Sequence, residues 1–78
     1  MKLTYDPRYN VAYIRLEAKD REVITLHISD AVNIDLAPDG TVFGIELLNA
    51  KEQLRGTAAN KVVVENEATG ASAEILLP

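Results

Sequence analysis

The chain has 78 residues, of which 47% are hydrophobic, with one Phe and no Trp. This length suits one domain, 1–78, and a core made mainly of Val, Ile and Leu favours β-sheet. The net charge of −4 argues against binding to nucleic acids or acidic membranes, because both need clustered Lys and Arg. The absence of cysteine excludes disulfides, thiol nucleophiles and thiolate metal sites. Without a long apolar run or an apolar leader, we expect a soluble cytoplasmic protein.

Alternating apolar and polar residues predict three short strands in the first part of the chain, at 2–5, 11–17 and 23–28. Asn10 ends the first turn and suits the left-handed backbone conformation. The short turn at 29–30 favours antiparallel pairing with the next strand, which predicts a meander. In the third strand the alternation separates two polar residues from three apolar ones: Thr25 and His27 on one face, and Ile24, Leu26 and Ile28 on the other.

Residues 31–48 predict the central hairpin, closed by a type I turn at Pro38, Asp39 and Gly40. A three-residue loop would place Ile34 opposite Gly44, so we predict a four-residue loop that keeps six apolar side chains on one face. The predicted pairs are Leu36 with Phe43, Ile34 with Ile45, and Val32 with Leu47.

The second strand of that hairpin also carries apolar residues on its other face, at Val42 and Leu48, which favours a central position in the sheet. A glycine inside a strand, here Gly44, indicates that another group approaches the backbone closely.

A short helix is predicted at 49–55, from Asn49 to Arg55, with Asn49 and Glu52 as a capping box and Gly56 as terminator. Strands at 61–65 and 71–77 then form a C-terminal hairpin within 57–78, which either folds back on its own sheet or packs on a second copy. The fold class is therefore mainly β, with α+β as the alternative: an antiparallel sheet of about six to seven strands with one short helix.

The predicted register brings polar side chains together on the central hairpin, with Asn33 opposite Glu46 and Asp35 opposite Gly44. Together with His27, the one histidine, they form a candidate patch. Such oxygen groups can bind Mg²⁺ or Ca²⁺, or divide acid and base roles. A solvated polar patch is the favoured interpretation, so we predict no catalytic residue, no metal ligand and no cofactor.

The small core and exposed sheet edges favour association, so we expect a homo-oligomer that acts as a non-enzymatic interaction module. Candidate interface residues are Tyr5, Tyr9, Tyr13, Val62 and Val64, because tyrosine is enriched at binding hot spots. The tyrosines otherwise close one end of the core. A small metal-dependent enzyme that uses the acidic patch is the alternative from a different class.

Four short motifs in combination resemble the domain of unknown function 2283 family of small bacterial and archaeal proteins. They are Tyr5-Asp6-Pro7, Tyr13-Ile14-Arg15-Leu16, Asp39-Gly40 and Gly44-Ile45-Glu46. The resemblance covers residues 1 to about 54, and Asn10 stands where the family commonly has an acidic residue. It implies a small sheet-rich fold and supplies no catalytic residues. Relatives encoded beside small toxin-like proteins also imply a nearby protein partner, and so an antitoxin-like role as a further alternative.

Overall fold

The computed structural model describes residues 1–55 and 61–76, which form seven strands and one short helix. This confirms a mainly β fold. The predicted helix end at Gly56, residues 57–60 and Leu77 lie outside the described residues. The described part of the chain contains no helix long and apolar enough to cross a membrane. The elements are β1 (Lys2–Asp6), β2 (Val11–Arg15), β3 (Ile24–Ser29), β4 (Val32–Leu36), β5 (Val42–Leu48), α1 (Ala50–Arg55), β6 (Lys61–Glu65) and β7 (Ser72–Leu76).

Five strands form one antiparallel sheet in the order β1-β2-β5-β4-β3, and β6 and β7 pair with each other in a second sheet. The predicted meander is wrong, because β5 lies between β2 and β4 and separates β2 from β3. The central position predicted for β5 is confirmed. Its apolar residues on both faces suit a strand with neighbours on each side. The polar segment 16–23 carries the chain from β2 to the far edge of the sheet.

The central hairpin has the predicted register except next to its turn. Ile34 pairs with Ile45 and Val32 with Leu47, as predicted. The predicted four-residue loop is wrong, because the Gly40 amide donates to the Ala37 carbonyl at 2.9 Å and the Ala37 amide donates to the Thr41 carbonyl at 2.8 Å. These bonds close a three-residue loop, which the positive φ of Gly40 (87°) permits.

A β-bulge then restores the register that keeps apolar residues together. Leu36 pairs with Val42 rather than with Phe43, and Asp35 pairs with Gly44. Phe43 is the extra residue of the bulge. The prediction that Leu36 pairs with Phe43 is therefore wrong, and the bulge explains how a three-residue loop coexists with the Ile34–Ile45 pair.

The N-terminus of α1 is capped by the turn between β1 and β2. Asn10, left-handed as predicted (φ 56°), accepts from the Ala50 amide through its carbonyl and from the Lys51 amide through Oδ1, at 2.9 and 2.8 Å. Its Nδ2 donates to Glu52 at 2.8 Å. The helix begins at Ala50, one residue later than predicted, because Asn49 itself has a positive φ of 52°.

The described residues contain no large side chain that is fully buried. The buried apolar residues are Ala12, Ala37, Phe43 and Ala50. Phe43 lies under the guanidinium of Arg15, 5.2 Å from the ring centroid. A domain normally buries an apolar sheet face beneath a second layer. The exposure of Ile24, Leu26 and Ile28 shows that the described residues do not provide that layer over β3.

Candidate functional site

One face of the five-stranded sheet is polar and holds all four residues of the candidate patch. The register aligns Thr4, Tyr13, Glu46, Asn33 and His27 in one row across the strands, and Lys2, Arg15, Gly44, Asp35 and Thr25 in the next. We call these two rows the polar face. Asn33 lies opposite Glu46 and Asp35 opposite Gly44, as the predicted register requires.

Asp35 is held from both sides by hydroxyl groups. The Tyr13 hydroxyl donates to Asp35 Oδ2 at 2.7 Å, and the Thr25 hydroxyl donates to Asp35 Oδ1 at 2.6 Å. Tyr13 belongs to β2 and Asp35 to β4, so the phenol reaches across β5 to make its bond. Gly44 makes this possible, because a Cβ at that position would lie 2.7 Å from Cε1 of the Tyr13 ring and still closer to its outer atoms. Gly44 therefore matches the close approach predicted from sequence.

A second set of bonds links β3, β4 and β5. Asn33 Nδ2 donates to Glu46 Oε1 at 2.9 Å, and Asn33 Oδ1 lies 3.0 Å from His27 Nδ1. With its amide nitrogen used by Glu46, Asn33 accepts from a protonated Nδ1 of His27. His27 Nε2 also lies 3.9 Å from Asp30 Oδ1 in the following turn. These bonds connect strand to strand and hold the register.

The electrostatics of the polar face are those of a bonded network. Partial burial and the bond to Asp35 raise the pKa of Tyr13 to about 12, so its phenol keeps its proton at neutral pH. Tyr13 therefore donates to a carboxylate and does not act as a base. Among the described residues no group of three or more His, Cys, Asp and Glu side chains is placed to hold a metal ion.

The opposite face of the sheet is apolar and extends across all five strands. Leu3, Ile14, Ile45, Ile34 and Leu26 form one unbroken aliphatic row from β1 to β3. We call this face, with the apolar residues on either side of that row, the apolar sheet face. On the edge strand β3, Ile24, Leu26 and Ile28 are 63%, 41% and 56% exposed.

The three candidate tyrosines do not form one patch. Tyr5 pairs with Ala12 on the apolar sheet face, whereas Tyr13 lies on the polar face. Tyr9 is 75% exposed in the turn between them, beneath the guanidinium of Arg8. They therefore do not close one end of the core together. Tyr5 is the one that lies with the exposed aliphatic residues.

The C-terminal hairpin also has two unlike faces. Val62 pairs with Ile75 and Val64 with Ala73, so these four apolar residues share one side, which we call the apolar hairpin face. The other side carries an ion pair between Lys61 and Glu74 at 2.8 Å. The candidate interface residues Val62 and Val64 thus lie together on the apolar side.

Some members of both sheet faces were not predicted as candidates. Thr25 joins the polar network and Leu3 and Ile14 complete the aliphatic row, yet the sequence assigned no role to these positions. For Leu3 and Ile14 the missing information was the pairing of β2 with β5, which joins residues 29 to 37 positions apart. Gly44 was the one local signal that another side chain crosses that strand.

These features define a small, mainly β protein with one polar and one apolar sheet face. A family model described as "Protein of unknown function (DUF2283)" matches residues 2–51, so the chain belongs to the domain of unknown function 2283 family. The match includes β1 to β5 and the start of α1, and so both faces of the five-stranded sheet. Comparison with curated proteins and with solved structures gives no match.

Proposed function

We propose that this protein is a non-enzymatic interaction module that associates with itself through the apolar sheet face. The observation that carries the proposal is the aliphatic row from Leu3 to Leu26, which crosses the whole sheet and has exposed members at both edges. An apolar face of this extent is favourable only when a second layer removes it from water.

The exposed area supports a stable contact. Six side chains contribute, and from their exposed fractions we obtain about 500 Å² of accessible surface, at the upper end of the patches found on monomeric proteins. At about 25 cal/mol per Å² its burial corresponds to about 12 kcal/mol of gross hydrophobic free energy per copy, before the cost of association. The six are Leu3, Tyr5, Leu16, Ile24, Leu26 and Ile28.

The polar face supports association through the opposite, apolar side of the sheet. Its side chains bond to one another across the strands and, with a net charge of −4 on the chain, suit contact with water. Residues with alternating orientation thus divide one sheet into a solvent side and an association side. A metal-dependent activity has no comparable support, because the described part of the chain offers no set of metal ligands.

The test is the mass of the protein in solution, measured by light scattering after size-exclusion chromatography at several concentrations. We expect wild type to have the mass of a dimer or higher oligomer. Leu26→Lys, which puts a charge between the exposed Ile24 and Ile28 of β3, should reduce the mass to that of one chain. Thr4→Lys is the matched control, since Thr4 is an exposed edge residue on the polar face and should not change the mass.

Far-UV circular dichroism establishes that Leu26→Lys is folded. If that variant unfolds, Ile24→Lys repeats the test on the same edge strand, where Ile24 is 63% exposed. A wild-type chain that has the mass of a monomer at tens of micromolar would overturn self-association. The apolar sheet face would then be left to a different protein, such as the small toxin-like partner that the family resemblance implies.

A further inference from the structure

Building on the proposed self-association, we infer that the part of the second copy that covers the apolar sheet face is its C-terminal hairpin. The apolar hairpin face, formed by Val62, Val64, Ala73 and Ile75, packs on the sheet of the partner over β3 and β4. By symmetry, the partner receives the hairpin of the first copy in the same way.

The first argument is the stability of the hairpin. β6 and β7 pair with each other as a two-stranded sheet, closed by bonds from the Asn66 amide to the Ala71 carbonyl and from the Gly70 amide to the Asn66 carbonyl, both at 2.8 Å. A two-stranded hairpin is marginally stable in water unless it packs against something. A folded hairpin of this length therefore needs a surface to pack on.

The second argument is which side of the hairpin faces that surface. Val63 and Val64 are neighbours of the same type with nearly equal exposure, 53% and 54%, but they lie on opposite sides. The Val63 side carries the Lys61–Glu74 ion pair, which is best solvated. The Val64 side is entirely apolar, so it is the side that gains from burial.

The third argument identifies the occupant as a second copy. Within one chain both surfaces are uncovered: Ile75 is 58% exposed on the hairpin and Ile24 is 63% exposed on the sheet. The hairpin of the same chain is thus not the missing layer. In a symmetric exchange each copy buries the exposed residues of β3 and its hairpin face, together about 500 Å², so the dimer buries about 1,000 Å², the lower limit for a specific interface.

The position over β3 and β4 follows from exposure and width. Ile24 and Ile28 of β3 are the most exposed residues of the apolar sheet face. Two strands about 4.8 Å apart span less than half the width of five, so one hairpin covers that side and not the whole sheet.

The first experiment compares Val64→Lys with Val63→Lys by light scattering. Val64→Lys puts a charge on the apolar hairpin face and should shift the oligomer towards monomer. We expect the dissociation constant of the oligomer to rise at least tenfold. Val63→Lys adds the same charge at the adjacent residue and should leave the mass unchanged. Equal effects of the two variants, or none, would overturn the assignment of the hairpin.

The second experiment uses the absence of cysteine in the chain, which makes introduced cysteines unique. Leu26→Cys and Val64→Cys are made in separate chains, mixed, and oxidised mildly. We expect a disulfide between unlike chains in the mixture and little in either sample alone. Replacing Val64→Cys by Val63→Cys in the mixture should abolish the product.

The remaining outcomes separate the two proposals. An oligomer in which Leu26→Cys cross-links with itself, and not with Val64→Cys, would show sheet-on-sheet packing and overturn the hairpin exchange while leaving self-association intact. A disulfide within one chain that carries both substitutions would show that the hairpin covers its own sheet, and it also overturns the exchange. A monomeric wild type overturns both proposals.

Discussion

Gly44 gives the most direct test of the polar face, because its missing side chain leaves the space that Tyr13 occupies. In Gly44→Ala the new methyl group would overlap the Tyr13 ring, whose Cε1 lies 2.7 Å from the Cβ position. The ring must swing away and so release its bond to Asp35. Loss of a hydrogen bond to a charged group costs about 1.5–3 kcal/mol, of which about 0.5–1 kcal/mol is offset by replacing a strand glycine with alanine.

We therefore expect Gly44→Ala to lower the free energy of unfolding by about 1–2 kcal/mol, or Tm by about 4–16 °C for a domain of this size. Urea unfolding at one fixed protein concentration measures the change, since the proposed association would also contribute to stability. The control is a double-mutant cycle with Tyr13→Ala. Without the ring, Gly44→Ala should be neutral or stabilising by up to about 1 kcal/mol. An equal cost in both backgrounds would refute the packing of Tyr13 on Gly44.

Three further predictions concern the turns and the phenol. Asn10→Asp keeps a residue that tolerates the left-handed conformation but replaces the donor to Glu52 by a second carboxylate. It should lower the free energy of unfolding by about 1–2 kcal/mol, measured by thermal melts. An unchanged Tm would contradict the long-range cap. Tyr13 has a folded pKa of about 12, above the value near 10 of an unfolded chain, so its contribution to stability is complete below pH 10 and is lost as pH rises towards 12. The difference in phenolate absorbance between wild type and Tyr13→Phe should report the pKa of Tyr13, and Asp35→Asn should lower that pKa. A Tyr13 titration near pH 10 would contradict its bond to Asp35. Gly40→Ala, at a φ of 87°, should cost about 1 kcal/mol in urea unfolding, and no loss would contradict the three-residue loop.

The central hairpin could be predicted because its information is local. Alternation from Val32 to Leu36 and from Phe43 to Leu47 fixes which residues face the same side, and a slip of one residue would expose the whole apolar set. That constraint gave the Ile34–Ile45 pair correctly. It could not give the loop length, because a bulge at Phe43 allows a three-residue turn and the same register beyond it.

The parts that sequence did not predict all depend on distant pairing. The turn at 29–30 does join neighbouring strands, as predicted. The predicted meander is wrong because β5, and not β3, pairs with β2. No local pattern in the sequence specifies which strand pairs with the free edge of β2. The helix cap is similar: Asn49 has the residue type of an N-cap, but Asn10, about forty positions earlier, makes the bonds. Asn10 was recognised as a turn residue by its tolerance of positive φ, and its second role follows from where the sheet places that turn.

The polar network and the apolar row depend on each other through the register of the sheet. The Tyr13–Asp35 and Asn33–Glu46 bonds form in one alignment of β2, β5 and β4, because strands shifted by one residue would move these side chains to the other face. The same alignment places Leu3 and Leu26 at opposite ends of one aliphatic row. Under the proposed self-association, the apolar face of one chain alone stays uncovered, so burial contributes little to determining the register. Directional bonds on the polar face supply that specificity, so the polar face would contribute to the proposed association by aligning the apolar surface.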